Sequence, residues 1–421
     1  MDERVEGVGR GVLRERNCAR VVEALRGRGT ASRSDLARLT GLSRTTVGNV
    51  VAELQERGVV VEDDAPDVHG RGRPPVLLRF DPSAGAVVGV DFDHDHVRVA
   101  LADLSTTVLA EGGEAIDVDH AAGDAVDAVV ALVEALREEA GLEQERLVGA
   151  GAGLAGPVDR RTGVVASPLI LPGWAGRRVR CVLQERLGLP VEVDNDANLG
   201  ALAEGALGAA RGLSNFVYVR LGSGLGAGLV VGGRLCRGAN GLAGEIGHVQ
   251  VRADGAVCRC GNRGCLETVA SESALRALLE PALGRPLGGG DVVELVEAGE
   301  LAATRLIEDA GRAVGRVLAD LCNTLNPEAI VVGGELSEAG EPLLRAIRET
   351  VERHALPAAA EGVRVVSGEL GERAEVLGAL RLVIADTDGL GSIGLARKPN
   401  DRPRVERRGS SQRPEIGAAS R

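Results

Sequence analysis

One short segment, residues 244–267, constrains the fold of this chain more than any other, because it gathers the ligand types of a metal site. It carries one histidine and three cysteines, the inventory of a closed tetrahedral Cys3His zinc site. Four protein ligands leave no position for a substrate water, so we predict that the zinc ion is structural. Gly261 and Gly264 allow the tight turns that direct the thiolates to one point. The predicted ligands are His248, Cys258, Cys260 and Cys265.

Two alternatives to zinc are disulfide pairing and unligated buried thiols. Disulfides are disfavoured because no signal peptide or transmembrane run precedes the cysteines, which predicts a cytoplasmic protein in a reducing compartment. Four potential ligands at compatible spacing favour zinc over unligated thiols. Of the other cysteines, Cys236 stands alone, whereas Cys18, Cys181 and Cys322 occupy apolar helical contexts and are predicted core residues.

Two glutamates flank the predicted metal ligands. Glu245 shortly precedes His248 and Glu267 shortly follows Cys265, so a zinc-fixed loop would hold both carboxylates close together. Paired carboxylates beside an imidazole accept hydrogen bonds from vicinal hydroxyls, which is the chemistry of sugar recognition. The alternative is that both are surface glutamates without a role, but rigid support by a metal favours a binding site.

The length and charge of the chain limit its possible architectures. Its 421 residues exceed one ordinary domain, and an apolar content of 44% can fill more than one core. A formal net charge of -12 argues against nonspecific coating of nucleic acid by the whole molecule. A local DNA-reading face is compatible with this charge, since residues 1–80 carry 14 arginines against 12 acidic residues.

The N-terminal region has the pattern of a helix-turn-helix. We predict a first amphipathic helix over 13–26, a short helix over 31–40, a turn at Gly41 and a second short helix over 44–54. Ser43 is suited to cap the last of these helices. The apolar positions of that helix face inward, which leaves polar side chains to contact bases and phosphates in a DNA major groove. These side chains are Arg44, Thr45, Thr46 and Asn49.

A wing is predicted to follow the helices. Apolar runs at 59–61 and 74–80 are predicted strands, and the basic segment between them, 70–74, is predicted to enter a minor groove through Arg71 and Arg73. The alternative is a helical pair that only packs. The agreement of turn, cap, polar face and wing favours a winged helix that binds DNA.

A second region begins near residue 86 with two predicted strands, 87–92 and 97–103. The turn between them carries two aspartates and two histidines. An anion-binding hairpin requires small residues and a hydroxyl, and the carboxylates here would repel a phosphate. His94 and His96 are conceivable metal ligands, but alternation along a hairpin favours both simply pointing outward.

Asn195 and Asp196 follow a predicted buried strand, 191–194. Ligands of α/β proteins bind at the carboxyl ends of such strands, so Asp196 is a candidate general base for a sugar hydroxyl and Asn195 a candidate hydroxyl ligand. The alternative is that the pair is a polar helix cap, and the sequence alone leaves both interpretations open.

Two glycine turns follow strands in the second half of the chain. Both are candidate nucleotide-binding turns: Gly222, Ser223 and Gly224 supply the small residues and hydroxyl of an anion hairpin, and Gly333 and Gly334 are suited to pass beneath an adenosine. A closing helix is predicted over 374–384. Residues 397–421, rich in arginine, proline and serine, are predicted to be disordered.

These motifs resemble the ROK family of repressors and sugar kinases, and within it the members similar to xylose or N-acetylglucosamine repressors. The most specific parts are 244–248, the cysteine cluster ending in Glu267, 195–196 and 222–226, and the resemblance covers about residues 12–390. It implies an α/β protein in which a winged helix-turn-helix domain precedes a two-lobed, actin-like sugar-kinase fold with a zinc-binding loop.

The resemblance also implies domain boundaries and residue roles. Residues 1–80 would bind DNA, 85–195 with 370–395 would form the first lobe, and 196–369 would form the second lobe with the zinc site. Asp196 would be the catalytic base of a kinase, and the zinc ligands would be the four named above. The sugar would contact Asn195, Asp196, Glu245, His248 and Glu267.

The first phosphate motif departs from the family pattern. Kinases of the family have Asp-x-Gly-Gly-Thr, whereas this chain has Asp91-Phe92-Asp93-His94-Asp95. Because phosphoryl transfer depends on positioning and charge neutralisation, this loss favours sugar binding without turnover. We therefore predict a sugar-responsive transcriptional repressor, not an enzyme, that binds operator DNA as a dimer or tetramer and has no membrane partner. The alternatives are an ATP-dependent sugar kinase with an appended DNA-binding module, and a zinc hydrolase with an open coordination position.

Overall fold

The computed structural model describes residues 3–63, 76–159, 162–165, 167 and 169–385. They form a winged helix followed by two α/β lobes. The wing tip with Arg71 and Arg73 and the predicted disordered tail lie outside the described residues. No helix in the described ranges combines the length and apolar composition that crossing a bilayer requires.

The N-terminal domain is a three-helix unit with a small antiparallel sheet. Its elements are α1 (Glu3–Arg28), β1 (Thr30–Ser32), α2 (Arg33–Thr40), α3 (Arg44–Glu56), β2 (Val60–Asp63) and β3 (Leu77–Phe80). The strand order is β1-β3-β2, and the three helices and β3 share one apolar core. Helix α1 begins ten residues before the predicted start.

The turn of the helix-turn-helix is set by local chemistry. Gly41 ends α2 in the left-handed region, with φ of 66°, where a side chain would be strained. Ser43 then caps α3 by accepting a hydrogen bond from the backbone N–H of Thr46 at 3.1 Å. Both predicted roles are confirmed.

The first lobe is a five-stranded sheet covered by helices. Its elements are β4 (Ala86–Phe92), β5 (His96–Asp103), β6 (Val108–Ala115), α4 (Ala122–Glu139), β7 (Leu147–Leu154), β8 (Val158–Asp159), β9 (Val164–Val165), α5 (Val179–Leu187) and β10 (Val191–Asn195). The strand order is β10-β7-β4-β5-β6: β4 to β6 form an antiparallel meander, and β7 and β10 run parallel to β4. All of β4 is buried, as a central strand requires.

The second lobe repeats this topology. Its elements are α6 (Asp196–Leu207), β11 (Phe216–Leu221), β12 (Leu225–Val231), β13 (Arg234–Leu235), α7 (Glu267–Ala270), α8 (Glu272–Leu283), α9 (Asp291–Glu297), α10 (Leu301–Leu325), β14 (Ala329–Gly333), α11 (Glu341–His354), α12 (Pro357–Gly362) and β15 (Arg364–Ser367), and α13 (Ala374–Ala385) follows them in the chain. Its strand order is β13-β12-β11-β14-β15. The turn between β11 and β12 is therefore the counterpart of the turn between β4 and β5.

Helix α13 confirms the predicted closing helix. It packs on α6 and on the β4–β7 side of the first sheet. Close approach depends on glycine: a Cβ on Gly378 would lie 2.0 Å from the carbonyl oxygen of Leu199 in α6, and a Cβ on Gly151 would lie 2.1 Å from that of Ala379. The helix therefore joins the lobe boundary to the first sheet.

The winged helix rests on the first lobe through Arg26 of α1. Its guanidinium donates to the carbonyl oxygen of Leu104 at 2.5 Å and lies 4.6 Å from the ring centre of Phe80. Burial, together with the nearby charge of Arg381 in α13, lowers the pKa of Arg26 to about 10. The winged helix thus meets the closing helix at this junction.

The three predicted core cysteines have different environments. Cys322 is buried and Cys18 is half-buried, but Cys181 is exposed, so its predicted core position is wrong. Helix α5 buries the side that carries Val179, Leu183 and Leu187, and Cys181 falls on the opposite side of this 3.6-residue period.

Candidate functional site

The carboxyl end of β10 places Asn195 and Asp196 at the boundary between the lobes. The side chain of Asn195 caps α6 by accepting from the backbone N–H of Asn198 at 3.3 Å, so the predicted helix cap is present. Asp196 is 6% exposed, and one of its oxygens lies 3.4 Å from Nε of Arg220 in the second lobe. Burial raises the pKa of Asp196, while Arg220 opposes that rise.

Asp194, at the end of β10, stabilises this corner through its side-chain contacts. Its buried carboxylate accepts from the side-chain amide of Asn198 at 2.9 Å and from the backbone N–H of Asn195 at 2.9 Å. Arg237, from the segment after β13, forms an ion pair with Asp194, with its Nε 2.6 Å from a carboxylate oxygen. The end of β10, just before Asp196, is therefore tied to the second-lobe segment that leads to Glu245.

Three carboxylates converge on this corner. Burial, together with the charges of Asp196 and Glu267, raises the pKa of Glu245 to about 7. Glu267 lies 3.9 Å from Sγ of Cys258, so it borders the space beside the metal loop. His248 borders the same space, with its Nε2 atom 3.9 Å from Glu245. The structure thus brings together these four predicted sugar ligands, and Asn195 lies next to Asp196 in the chain.

The predicted metal ligands form one cluster. The ligand atoms of His248, Cys258, Cys260 and Cys265 all lie within 4.8 Å of one another. Sγ of Cys258 lies 3.7 Å from Nδ1 of His248, and Sγ of Cys260 lies 3.7 Å from Sγ of Cys265. Two sulfurs about 2.3 Å from a common tetrahedral centre would be separated by roughly 3.7 Å. The donor set and spacing therefore fit a closed tetrahedral ion.

The two hairpin turns at the lobe boundary are joined by side chains. Asp93, 2% exposed, forms an ion pair with Arg220 of β11. Its other oxygen accepts from the hydroxyl of Ser223 at 2.8 Å. Burial opposes ionisation of Asp93, but Arg220 and the neighbouring histidines outweigh it, so the pKa lies well below its usual range. The predicted hydroxyl of the second turn is thus already bonded to the protein.

The histidines of the first turn do not both point outward, so that prediction is wrong for His94. Its Nδ1 atom lies 2.6 Å from a carboxylate oxygen of Asp119, and only 10% of its side chain is exposed. The outward prediction failed because the partner carboxylate comes from the segment after β6. His96 instead pairs with Asp95 at 2.8 Å, and Asp93, Asp95 and His96 form a second cluster of metal-ligand types.

Gly333 and Gly334, at the turn that ends β14, are required by the protein's own packing. Gly334 has φ of 79°, and a Cβ there would lie 2.5 Å from the carbonyl oxygen of Leu221. A Cβ on Gly333 would lie 2.4 Å from the hydroxyl of Tyr218. These contacts account for both glycines, and their adenosine role stays a prediction.

Arg259, between two predicted metal ligands, enters the cleft between the lobes. Its Nε donates to Glu267 at 2.9 Å, and its other nitrogens lie 3.7 Å from Asp119 and 3.3 Å from the carbonyl oxygen of Ser223. One side chain from the metal loop thus touches a predicted sugar ligand, the first lobe and the second hairpin.

Arg220 is the centre of a buried acidic network. Its Nε lies 3.6 Å from Glu375, at the start of α13, and Glu375 also accepts from the hydroxyl of Tyr218 at 2.9 Å. Burial raises the pKa of Glu375 to about 7, with Arg220 opposing and Asp196 adding to the rise. Burial likewise raises the pKa of Asp91 well above its usual value. The single guanidinium of Arg220 therefore lies close to several carboxylates.

The outer face of α3 agrees with a DNA-reading surface. Arg44, Thr45 and Asn49 are exposed, whereas Thr46 is half-buried with its hydroxyl 2.8 Å from that of Ser43. The apolar face of α3 is buried in the domain core, as its spacing predicts. Helix N-terminal residues of this type suit contacts to base edges and phosphates.

Sequence reasoning missed the arginines that organise the site. Arg220 follows alternating apolar residues in β11, and its charge within a strand buried at every position is the signal that could have identified it. Arg237 and Arg259 carry no comparable signal, since charged residues in glycine-rich loops are common.

Comparison with known proteins gives separate family matches for the two lobes and for the winged helix. Residues 87–386 match the ROK family, and residues 14–71 match the MarR family. A xylose repressor of Caldicellulosiruptor bescii is 29% identical over 390 residues, which is 89% of this chain and 97% of that protein.

Two solved structures share the fold. A ROK family transcriptional regulator, a homologue of the Escherichia coli Mlc protein, aligns with a TM-score of 0.77 and 27% identity over 91% of this chain and 99% of its own. A ROK family glucokinase of Streptomyces griseus, in complex with glucose and AMPPNP, aligns with a TM-score of 0.63 and 32% identity over 71% of this chain and 99% of its own. The family match spans both lobes, so this chain belongs to the ROK family and carries a MarR-like winged helix at its N-terminus.

Proposed function

We propose that this chain is a sugar-responsive transcriptional repressor. The observation that carries the proposal is the combination of an exposed polar recognition helix with a lobe boundary that gathers carboxylates, while the first phosphate turn is committed to an internal ion pair. The xylose repressor relative supports the proposal, since it matches this chain through both parts.

The effector is a neutral monosaccharide held at the lobe boundary. Asn195, Asp196, Glu245, His248 and Glu267 accept or donate hydrogen bonds to its hydroxyls. A partly protonated Glu245 suits this role, because its raised pKa lets the carboxyl group serve as donor or acceptor near neutral pH.

The metal in this proposal is a structural zinc ion held by His248, Cys258, Cys260 and Cys265. Bound zinc supplies rigidity, and the four protein ligands leave it no open position. His248 faces Cys258 through Nδ1 and Glu245 through Nε2, so one nitrogen is available to the metal and the other to the sugar. The loop also fixes the start of α7, where Glu267 lies.

The winged helix binds operator DNA. Arg44, Thr45, Thr46 and Asn49 read bases and phosphates in the major groove, and a homodimer or tetramer presents two such modules to two half-sites. The sequence assigns the minor groove to Arg71 and Arg73 of the wing tip. Because its target in this proposal is operator DNA, we infer that the protein acts in the cytoplasm.

Coupling between sugar and DNA runs through the closing helix. Helix α6 begins at Asp196 and packs on α13, and α13 carries Arg381 to the junction with Arg26 of the winged helix. A sugar that binds one lobe arrangement more tightly than the other shifts the spacing of the two DNA-binding modules. Equal affinity for both arrangements would change nothing.

Two substitutions separate the functions. Arg44→Ala should weaken binding to an operator selected from a random duplex library by roughly 5- to 150-fold, the worth of one good base contact, and leave sugar affinity unchanged. Asp196→Asn should abolish the sugar response and preserve sugar-free DNA binding. Arg353→Ala, an exposed arginine of the second lobe, is the matched control.

The same preparation tests the kinase alternative, which the glucokinase similarity favours. Calorimetry with a panel of sugars, followed by a coupled ADP assay, should give sugar binding without ADP. ADP formation that Asp196→Asn abolishes would overturn the proposal that the protein lacks phosphoryl transfer. Loss of operator affinity in Arg353→Ala equal to that in Arg44→Ala would overturn the assigned DNA face.

A further inference from the structure

The glycine turn of the second lobe, 222–224, has the composition of an anion cradle, but its polar groups face a carboxylate of the protein. The hydroxyl of Ser223 donates to Oδ1 of Asp93 at 2.8 Å. Arg220, just before the turn, pairs with Oδ2 of the same residue. A cation, a hydroxyl and small residues are the groups that a hairpin offers to a phosphate.

We propose that Asp93 is a resident anion that occupies this cradle in place of a phosphate and holds the two lobes together. The carboxylate presents two oxygens and one negative charge from the counterpart turn of the first lobe. The site is therefore a concealed anion site that becomes available to an inorganic phosphate when this side chain is removed.

The surroundings of the turn support this assignment. A Cβ on Gly224 would lie 3.1 Å from Nε2 of His94, so the imidazole covers the backbone beside the carboxylate. His94 is fixed by Asp119, and Arg259 contacts the carbonyl oxygen of Ser223. The space that an external phosphate would enter is thus filled by side chains of the first lobe and the metal loop.

A cation at this turn is the competing interpretation, because Asp93, Asp95 and His96 have metal-ligand chemistry. The charge on Asp93 is already neutralised by the buried guanidinium of Arg220, which would repel a metal ion bound to the same carboxylate. The hydroxyl of Ser223 also donates to this carboxylate, which is the polarity expected around an anion.

The location of the Asp93–Arg220 ion pair explains how it affects the rest of the cleft. Arg220 is also 3.4 Å from Asp196 and 3.6 Å from Glu375, so the ion pair lies beside the predicted sugar corner and the closing helix. Breaking the pair leaves a buried cation next to a space from which a side chain was removed. A tetrahedral anion would bring negative charge back to Arg220 and would occupy that space.

The test is rescue by phosphate in the full-length, zinc-loaded protein. Asp93→Gly is compared with wild type and with Asp95→Gly, which removes the exposed carboxylate two residues later in the same turn. Melting temperatures are measured with inorganic phosphate against sodium chloride at equal ionic strength. We expect phosphate to raise the melting temperature of Asp93→Gly by about 2 °C or more and to leave the other two unchanged.

A double variant identifies the cation. Asp93→Gly combined with Arg220→Met should lose the response to phosphate, because the guanidinium that binds the anion is gone. If Asp93→Gly does not fold, Asp93→Ser frees the same guanidinium with a smaller cavity and is measured in its place. A folded Asp93 variant that ignores phosphate would overturn the inference, as would a wild-type protein that phosphate stabilises equally. Neither result depends on DNA or sugar binding, so the proposed function is tested separately.

Discussion

Glu375 provides the sharpest test of the buried network. It is 3% exposed at the start of α13, and burial raises its pKa from 4.5 to about 7. Between these pH values the folded protein binds more protons at this site than the unfolded chain does. The stability that the protonated group contributes is therefore present below pH 4.5 and is lost as the pH rises through about 7.

The size of this effect follows from the pKa change. At about 1.36 kcal/mol per pKa unit, the rise corresponds to roughly 3 kcal/mol of unfolding free energy between pH 4.5 and pH 7. Glu375→Gln keeps the shape and the acceptor for Tyr218 but cannot ionise. The variant should gain stability relative to wild type as the pH rises from about 5 to 8, by up to that amount.

Urea unfolding followed by tryptophan fluorescence measures this gain. Trp174 is the single tryptophan and is fully buried in the first lobe, against which α13 packs. With an m-value of about 3 kcal/mol per molar, the urea midpoint of the variant should move upward relative to wild type by about 1 M between pH 5 and 8. Glu352→Gln, an exposed glutamate on α11, is the control. Parallel pH profiles for wild type and Glu375→Gln would refute the reasoning.

Three further substitutions test other parts of the structure. Gly378→Ala should lower the melting temperature by several degrees because its Cβ would lie 2.0 Å from a backbone oxygen of α6, whereas Gly123→Ala, with nothing within 4 Å, should not. Arg237→Ala should weaken sugar binding at least tenfold in calorimetry, since it leaves the buried Asp194 without its cation; unchanged affinity would remove Arg237 from the site. Cys258→Ser should reduce zinc content measured by atomic absorption, and full retention of zinc would exclude this ligand.

The sequence alone predicted several features of local structure. The turn at Gly41, the Ser43 cap and the buried face of α3 follow from spacing over a few residues, and each is present in the structure. The cysteines and His248 cluster as predicted because short loops with glycines hold them near one another. The glutamates on either side of the metal loop converge for the same reason.

The tertiary structure decided the partners of the first phosphate turn. From the sequence alone, Asp93 is only a negative charge that would repel a phosphate. In the fold, its partners Arg220 and Ser223 lie in the opposite lobe, and the pair fills the space between two equivalent hairpins. The inward position of His94 has the same origin, since Asp119 and Arg259 approach it from different segments.

The sequence by itself thus determined the helix-turn-helix, the closing helix and the ligand types at each turn, because these depend on neighbouring residues and on short-range periodicity. Only the tertiary structure decided which charges neutralise one another. Residues of two lobes that are far apart in the chain meet at the boundary because the β4–β5 turn contacts the β11–β12 turn there. Burial at that boundary then forces each charge to find a partner, and Arg220 becomes the common cation of Asp93, Asp196 and Glu375.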